Sequence, residues 1–207
     1  MGVGLGGLSC YPSIMLRRFF LLAALLFAPF PAIAAPDQVR VRFETSLGPI
    51  VMEVETRRAP ITAANFLRYV DTKRYDNTSF YRAARSGASG RGLIQGGTNR
   101  NLQLAFDPIA HEPTSKTGLK HLDGTLSMAR NAPGTAMADF FITVGPVPSL
   151  DAAPNYPGYA AFGRVISGME IVRKILTLKT YPGGFSENTK GQTIVDKPRI
   201  ITARRVG

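Results

Sequence analysis

Apolar and polar residues alternate along the first part of the chain: Val39, Val41 and Phe43 are interleaved with Arg40, Arg42 and Glu44. After Ser46-Leu47-Gly48 the alternation resumes at Ile50, Met52 and Val54. A period of two on either side of a turn predicts a β-hairpin with one buried face. Pro60 then stands at the first-turn position of a helix, and Ala63, Phe66, Leu67 and Val70 recur at the spacing of one helical face. That helix should end near Asp71. From Ser79 onward the apolar segments are short, at 79–84, 92–97, 125–130, 139–144 and 159–166, with Gly, Pro, Asn and Asp clusters between them. Many short strands separated by turn signals predict a closed or nearly closed antiparallel sheet. Gly168 precedes Met169, Val172, Ile175 and Leu176, one face of a second helix, and a final strand pair, 193–195 and 199–206, flanks Lys197-Pro198. The expected architecture is mainly β, a barrel covered by two helices. The loops at 98–118, 145–158 and 181–192 are long for a compact domain, a length that usually accompanies function or mobility.

The first 34 residues fit none of these patterns. Arg17 and Arg18 precede the apolar run Phe19 to Phe30, and Ala32-Ile33-Ala34 is the small-residue site at which a secretory signal peptide is cleaved. The run is short for a bilayer crossing and broken by Pro29 and Pro31, which favours a cleaved leader over an anchor. Cleavage is expected near Ala34, and Met15 is an alternative start. The remainder, 35–207, is long enough for one domain with one core. The only cysteine, Cys10, falls in the leader, so the mature chain would have neither a disulfide nor a thiol nucleophile. A periplasmic or secreted monomer, without stable membrane insertion after cleavage, is the expected state.

The net charge of +11 raises the question of an anionic partner. The cations are scattered in ones and twos, as in Arg57-Arg58, Lys73-Arg74 and Arg204-Arg205, which favours a solvated basic surface over a nucleic-acid site. His111 and His121 lie ten residues apart in predicted loop, without a carboxylate at ligand spacing, so no metal site is expected and both should sit at the surface. There is no Gly-x-Ser-x-Gly elbow, no phosphate loop and no Gly-x-Gly-x-x-Gly after a strand. Hydrolase and nucleotide-binding readings therefore lack parts. What remains is one arginine and one glutamine amid apolar strand residues, an arrangement suited to a reaction that needs no nucleophile.

Phe80-Tyr81-Arg82, Ile94-Gln95-Gly96-Gly97, Gly124-Thr125-Leu126-Ser127-Met128-Ala129, Phe140-Phe141-Ile142 and Phe162-Gly163-Arg164-Val165 follow one another at fixed intervals. In order and spacing, over 39–206, the chain resembles the cyclophilin family of peptidyl-prolyl cis-trans isomerases. The leader, Arg130 after Ser-Met-Ala, and Gly158-Tyr159 resemble its periplasmic bacterial branch. The resemblance implies a closed eight-stranded antiparallel β-barrel capped by two α-helices, no cofactor, and proline-containing polypeptides as substrates. It implies that Arg82 is the catalytic arginine and Gln95 the glutamine that orients it. Leu93, Phe141, Leu150 and Tyr159 would form the proline pocket, with Ala129 and Arg130 offering backbone to the peptide. Neighbours on a strand face opposite ways, so Phe140 is expected in the core and Phe141 in the pocket; Met128 is expected in the core.

The chain departs from the family at several places. Ser86-Gly87-Ala88-Ser89-Gly90-Arg91 lengthens the interval between Arg82 and Gln95, and Gly92 stands where an aromatic wall is common. Ser149 occupies a position where some members carry tryptophan. Asp139 stands where the family often has glutamine, and its carboxylate is expected to pair with Arg82 or Arg130 or, the favoured reading, to select a basic residue near the proline. Two other functions fit the residues less well: a non-catalytic chaperone holding proline-containing chains in the same groove, and a basic adaptor supported by net charge alone.

Overall fold

A computed structural model of the chain describes residues 1–2, 37–87, 90–184 and 186–207. The signal peptide expected over 1–34 lies outside the described residues but for Met1 and Gly2. The strands are β1 (Gln38–Thr45), β2 (Gly48–Glu55), β3 (Thr78–Ser86), β4 (Arg91–Gly97), β5 (Thr125–Met128), β6 (Phe140–Val144), β7 (Ala160–Ser167), β8 (Thr180–Tyr181), β9 (Thr193–Ile194) and β10 (Arg199–Val206). The helices are α1 (Pro60–Asp71), the single turn α2 (Thr114–Thr117) and α3 (Met169–Leu176).

Eight strands pair in the order β10-β1-β2-β7-β5-β6-β4-β3, and β3 returns to β10 through Ser79 opposite Arg199. Every pairing is antiparallel and the ring closes into a barrel, which removes the sheet edges. The hairpin read from the alternation is β1–β2, with Val41, Phe43, Ile50, Met52 and Val54 all buried. The final strands do not pair with each other as expected. They lie end to end along β3, with β10 opposite Thr78 and Ser79 and β9 opposite Arg82. Lys197-Pro198 sits between them, and proline, which lacks an N–H, suits such a break. The two-residue β8, which pairs only with β9, carries too few residues to show a period.

The barrel interior is aromatic. Phe43, Phe66, Tyr75, Phe80, Phe140 and Phe162 pack with ring centroids 5.1–6.0 Å apart, mostly tilted or edge to face. Helix α1 packs on β2, β7 and β10 and contributes Ala63, Phe66, Leu67 and Val70, while α3 packs on β2, β3, β4 and β6 through Val172, Ile175 and Leu176. The third helix, α2, was not expected from the pattern, since one turn shows no face.

Ala59, at the N-cap of α1, has no capping side chain. Glu112, 2% exposed, supplies the acceptor from a distant loop: its carboxylate receives the N–H of Ile61 at 3.2 Å, and the N–H and hydroxyl of Thr62, both at 2.7 Å. A buried carboxylate against a helix N-terminus complements both the orphan donors and the macrodipole. Glu112→Gln, which keeps the volume and removes the charge, is expected to cost about 1–2 kcal/mol. A lower urea midpoint with unchanged slope would register that loss; an unchanged midpoint would remove the cap from the account. The same loop is pinned again at Phe106, whose ring lies between the guanidinium groups of Arg68 and Arg74, 3.5 and 3.7 Å from its centroid.

Candidate active site

The register of six strands builds the site. Thr193, Arg82, Gln95, Phe141, Ser127 and Ala161 are successive cross-strand partners on β9, β3, β4, β6, β5 and β7. Because side chains alternate across a sheet, residues flanking this row, among them Ala83, Ile94, Gly96, Phe140, Ile142, Leu126, Met128 and Phe162, point inward. All of these but Gly96 belong to the buried core cluster. The row therefore occupies the outer face. Phe140 packs on Phe43, Phe66, Tyr75 and Phe80 inside the barrel, and Phe141 lies outside against His121 and Tyr159. Met128, like Phe140, lies in the core.

A β-bulge between Phe80 and Arg82 gives Tyr81 no cross-strand partner. It lets two consecutive side chains of β3 reach one residue of β4, the re-aiming that bulges provide. Arg82 donates from Nη1 to Gln95 Oε1 at 2.8 Å, and Gln95 Nε2 donates to the Tyr81 hydroxyl at 2.7 Å. A second glutamine, Gln192, accepts from Arg82 Nε at 2.7 Å. The guanidinium is thus held along two of its three nitrogens, and among the described residues no acceptor meets Nη2. Burial lowers the Arg82 pKa from its ordinary value, against the opposing effect of Tyr81 and Tyr159, yet an arginine keeps its charge at any physiological pH. Burial and then the neighbouring Asp139 charge push the Tyr81 hydroxyl well up, so the phenol stays protonated.

Around Arg82 the expected pocket residues come together in part. Phe141 is 3% exposed, and the Tyr159 ring meets it edge to face at 5.5 Å. The Leu150 carbonyl accepts from Tyr159 N at 2.9 Å, which ties the 3-10 turn Pro148–Leu150 to the Tyr159 side of the site. Arg130 donates through Nη2 to the Gly158 carbonyl and lies 4.7 Å over the Tyr159 ring, so its side chain clamps the 145–158 loop. Arg82, Leu93, Gln95, Leu150 and Tyr159 are half-buried, so the shelf they form opens to solvent.

Two expectations change. The Ala129 N–H is already bonded to the Asp139 carbonyl at 2.9 Å, which leaves only the Ala129 carbonyl to offer a peptide. The Asp139 carboxylate pairs with neither Arg82 nor Arg130: it receives the N–H groups of Asn99 at 2.9 Å and Arg100 at 3.3 Å and lies beside Tyr81. Burial raises its pKa despite those donors. Asp139 thus anchors the 98–105 loop and lies behind Tyr81, with backbone N–H groups as its donors in place of the alternative pairing with Arg82 or Arg130.

His121 is not at the surface but 1% exposed. Asp151 Oδ1 lies 2.8 Å from Nδ1 and the Ser127 hydroxyl 2.9 Å from Nε2, while the ring stacks on Phe141 at 5.9 Å. With both ring nitrogens partnered, burial leaves no polar atom of the ring unpaired. Ser127, fully buried, is beyond the reach of any substrate, so the Ser-His-Asp order here is a brace beneath the Phe141 ring rather than a nucleophile. His111, by contrast, is partly exposed, with Nε2 3.0 Å from the Pro157 carbonyl.

The description that matches the chain is "cyclophilin type peptidyl-prolyl cis-trans isomerase/CLD", over residues 40–203. The chain belongs to the cyclophilin family. Among its relatives, a peptidyl-prolyl cis-trans isomerase of Acinetobacter baylyi is 35% identical over 184 residues, 87% of this chain and 93% of that one. Peptidyl-prolyl cis-trans isomerase B of Escherichia coli is 33% identical and covers 75% of this chain and 94% of its own. The fold matches a cyclophilin-type isomerase of Cryptosporidium parvum with a TM-score of 0.61 at 25% identity, covering 82% and 98% of the two chains. A second crystal structure of that protein, in the presence of the dipeptide Ala-Pro, has a TM-score of 0.60. The closed eight-stranded barrel is thus the cyclophilin barrel, and this cyclophilin is a peptidyl-prolyl isomerase by family. Its motifs pointed to Arg82 and Gln95. Gln192, Tyr81 and the His121 brace were missed; the only signal for Gln192 was the unusual length of the 181–192 loop.

Proposed function

We propose that this cyclophilin accelerates rotation about Xaa-Pro bonds in exported proteins, with Arg82 donating to the amide nitrogen as it twists. Peptide resonance opposes the rotation by about 18–20 kcal/mol, and an unassisted Xaa-Pro bond takes tens of seconds or more to isomerise. When the bond twists, the proline nitrogen loses its share of that resonance and becomes a pyramidal acceptor. A fixed donor beside it then binds the twisted state better than the planar one, which lowers the barrier without a covalent step. The observation that carries this reading is the guanidinium held on two sides by Gln95 and Gln192, on the same outer face as Phe141, with no acceptor at Nη2 among the described residues.

A rate gain of about 10⁵ corresponds to about 7 kcal/mol. One preorganised donor contributes about 3 kcal/mol; the apolar shelf of Leu93, Phe141, Leu150 and Tyr159 would supply the rest by gripping the ring and drying the amide. Proline-containing chains are the substrate class, in keeping with the Ala-Pro dipeptide of the Cryptosporidium parvum structure. Export rests on Arg17-Arg18, the following apolar run and Ala32-Ile33-Ala34. The test uses residues 35–207 in a protease-coupled assay on a proline tetrapeptide. Cis-to-trans conversion should be faster in proportion to the amount of protein added, and a rate equal to buffer alone would overturn the reading. N-terminal sequencing of the exported chain should find Ala35 first; an intact leader would remove the export half.

A further inference from the structure

On the β3–β4 side of the shelf lies a groove of about 420 Å³, bounded by Ala84, Gly92 and Leu93 on one side and by the Pro146–Leu150 segment on the other. It shares Leu93 and Leu150 with the proposed proline shelf, so the two are continuous. The groove is open because its walls are short: Ser149 is small, and Gly92 has no side chain and cannot gain one. At Gly92 φ is +150°, and a Cβ would stand 2.0 Å from the Ala84 carbonyl oxygen.

Two guanidinium groups line this groove, and they differ. Arg85 is committed to the end of α3: Nε donates to the Leu176 carbonyl at 2.8 Å, and Nη2 donates to the Leu178 carbonyl. Arg91 is exposed, its stem crosses Gly145, and among the described residues its guanidinium takes part in no hydrogen bond or ion pair. The carboxylate near Gly145 does not neutralise it, because Asp123 receives Gly145 N–H at 2.7 Å and Arg173 Nη2 at 2.6 Å. Among the described residues no acidic side chain lines the groove.

We propose that this groove is a subsite for the polypeptide substrate in which Arg91 receives the carboxylate of a glutamate or aspartate close to the proline. An extended chain advances about 3.3–3.6 Å per residue, so a side chain one to three positions from the ring reaches past Leu93 and Leu150 into it. The apolar floor takes the methylenes of the acidic residue, and the guanidinium, a planar fork, takes its carboxylate. The subsite rests on the isomerase reading of Arg82, and it gives the enzyme a preference opposite to the basic-residue preference expected from Asp139.

The test compares kcat/KM for proline peptides carrying Glu, Gln or Lys at each position from three before to three after the proline. It is run on residues 35–207 and on the Arg91→Ala and Arg91→Glu variants. At one or two of those positions the wild-type chain should favour Glu over Lys by about two- to fivefold, as expected for an exposed ion pair, and about 0.5 M salt should shrink that ratio. Arg91→Ala should bring the ratio to about one, and Arg91→Glu should invert it. Each ratio is internal to one protein, so a general loss of activity in a variant does not confuse it. A wild-type ratio of one at every position, a preference for Lys, or a Glu preference that survives Arg91→Ala would each overturn the subsite while leaving the isomerase reading intact. Absence of catalysis on all peptides by the wild-type chain would instead remove the isomerase reading.

Discussion

Arg82→Ala is expected to lower isomerase turnover by at least about a hundredfold, the loss seen when one preorganised donor is removed from a transition state. The fall should appear in kcat more than in KM, because the planar ground-state amide offers its nitrogen little reason to accept the bond and only the twisted state pays in full for the missing donor. The fold should tolerate the change. Arg82 lies on the outer face of the barrel, and its partners Gln95 and Gln192 remain near solvent once it is gone. The unfolding midpoint should therefore move by no more than the usual surface substitution does. Arg82→Lys should recover little of the loss: the two glutamine carbonyls are met from separate guanidinium nitrogens, and a compact ammonium, whose three N–H groups diverge from one rotating nitrogen, lacks the planar fork that spans both and fixes a further donor. Turnover unchanged in the alanine variant, measured in the protease-coupled assay, would take the role from Arg82.

How much of this site could be read from residues alone follows from how local each feature is. The β1–β2 hairpin and the buried face of α1 were legible because the relevant neighbours are one to four residues away and leave a period in the sequence. The opposite fates of Phe140 and Phe141 follow from the same alternation. Arg82 and Gln95 came from family motifs, and the barrel register then explains why they meet, since they are direct partners across β3 and β4. Polar residues whose partners lie far along the chain left no such trace. Glu112 caps a helix 50 residues earlier, and Gln192 reaches Arg82 across 110 residues. Asp139 carries a charge that looked destined for a basic residue of the substrate or for an arginine of the chain, yet it receives two backbone N–H groups. A buried polar side chain is acceptable only if partnered, and a one-dimensional pattern does not say which partners the fold delivers.

His121 is the sharpest instance, and it carries the largest expected effect on stability. The unfolded imidazole titrates near pH 6.5. In the fold, burial lowers its pKa, with the Lys120 charge acting the same way and the Asp151 carboxylate opposing both. The Nδ1 proton is assigned toward Asp151, which makes Nε2 the acceptor for the Ser127 hydroxyl. Below pH 6.5 the unfolded chain therefore binds a proton that the folded chain resists, so the contribution is fully present above that pH and is lost as pH falls. His121→Ala removes the ring beneath Phe141 and leaves the buried Ser127 hydroxyl without its partner, at a cost of about 3–5 kcal/mol. For a domain of this size that is a fall in Tm of about 6–20 °C. His121→Gln, which keeps polar atoms at the site without a titrating group, should lose less stability. It should also flatten the decline of unfolding free energy between pH 6.5 and 5 relative to the wild-type chain, with His111 present in both as the internal control. Urea titrations at several pH values that gave parallel declines for the two proteins would show that the His121 proton has no part in holding the floor of the site.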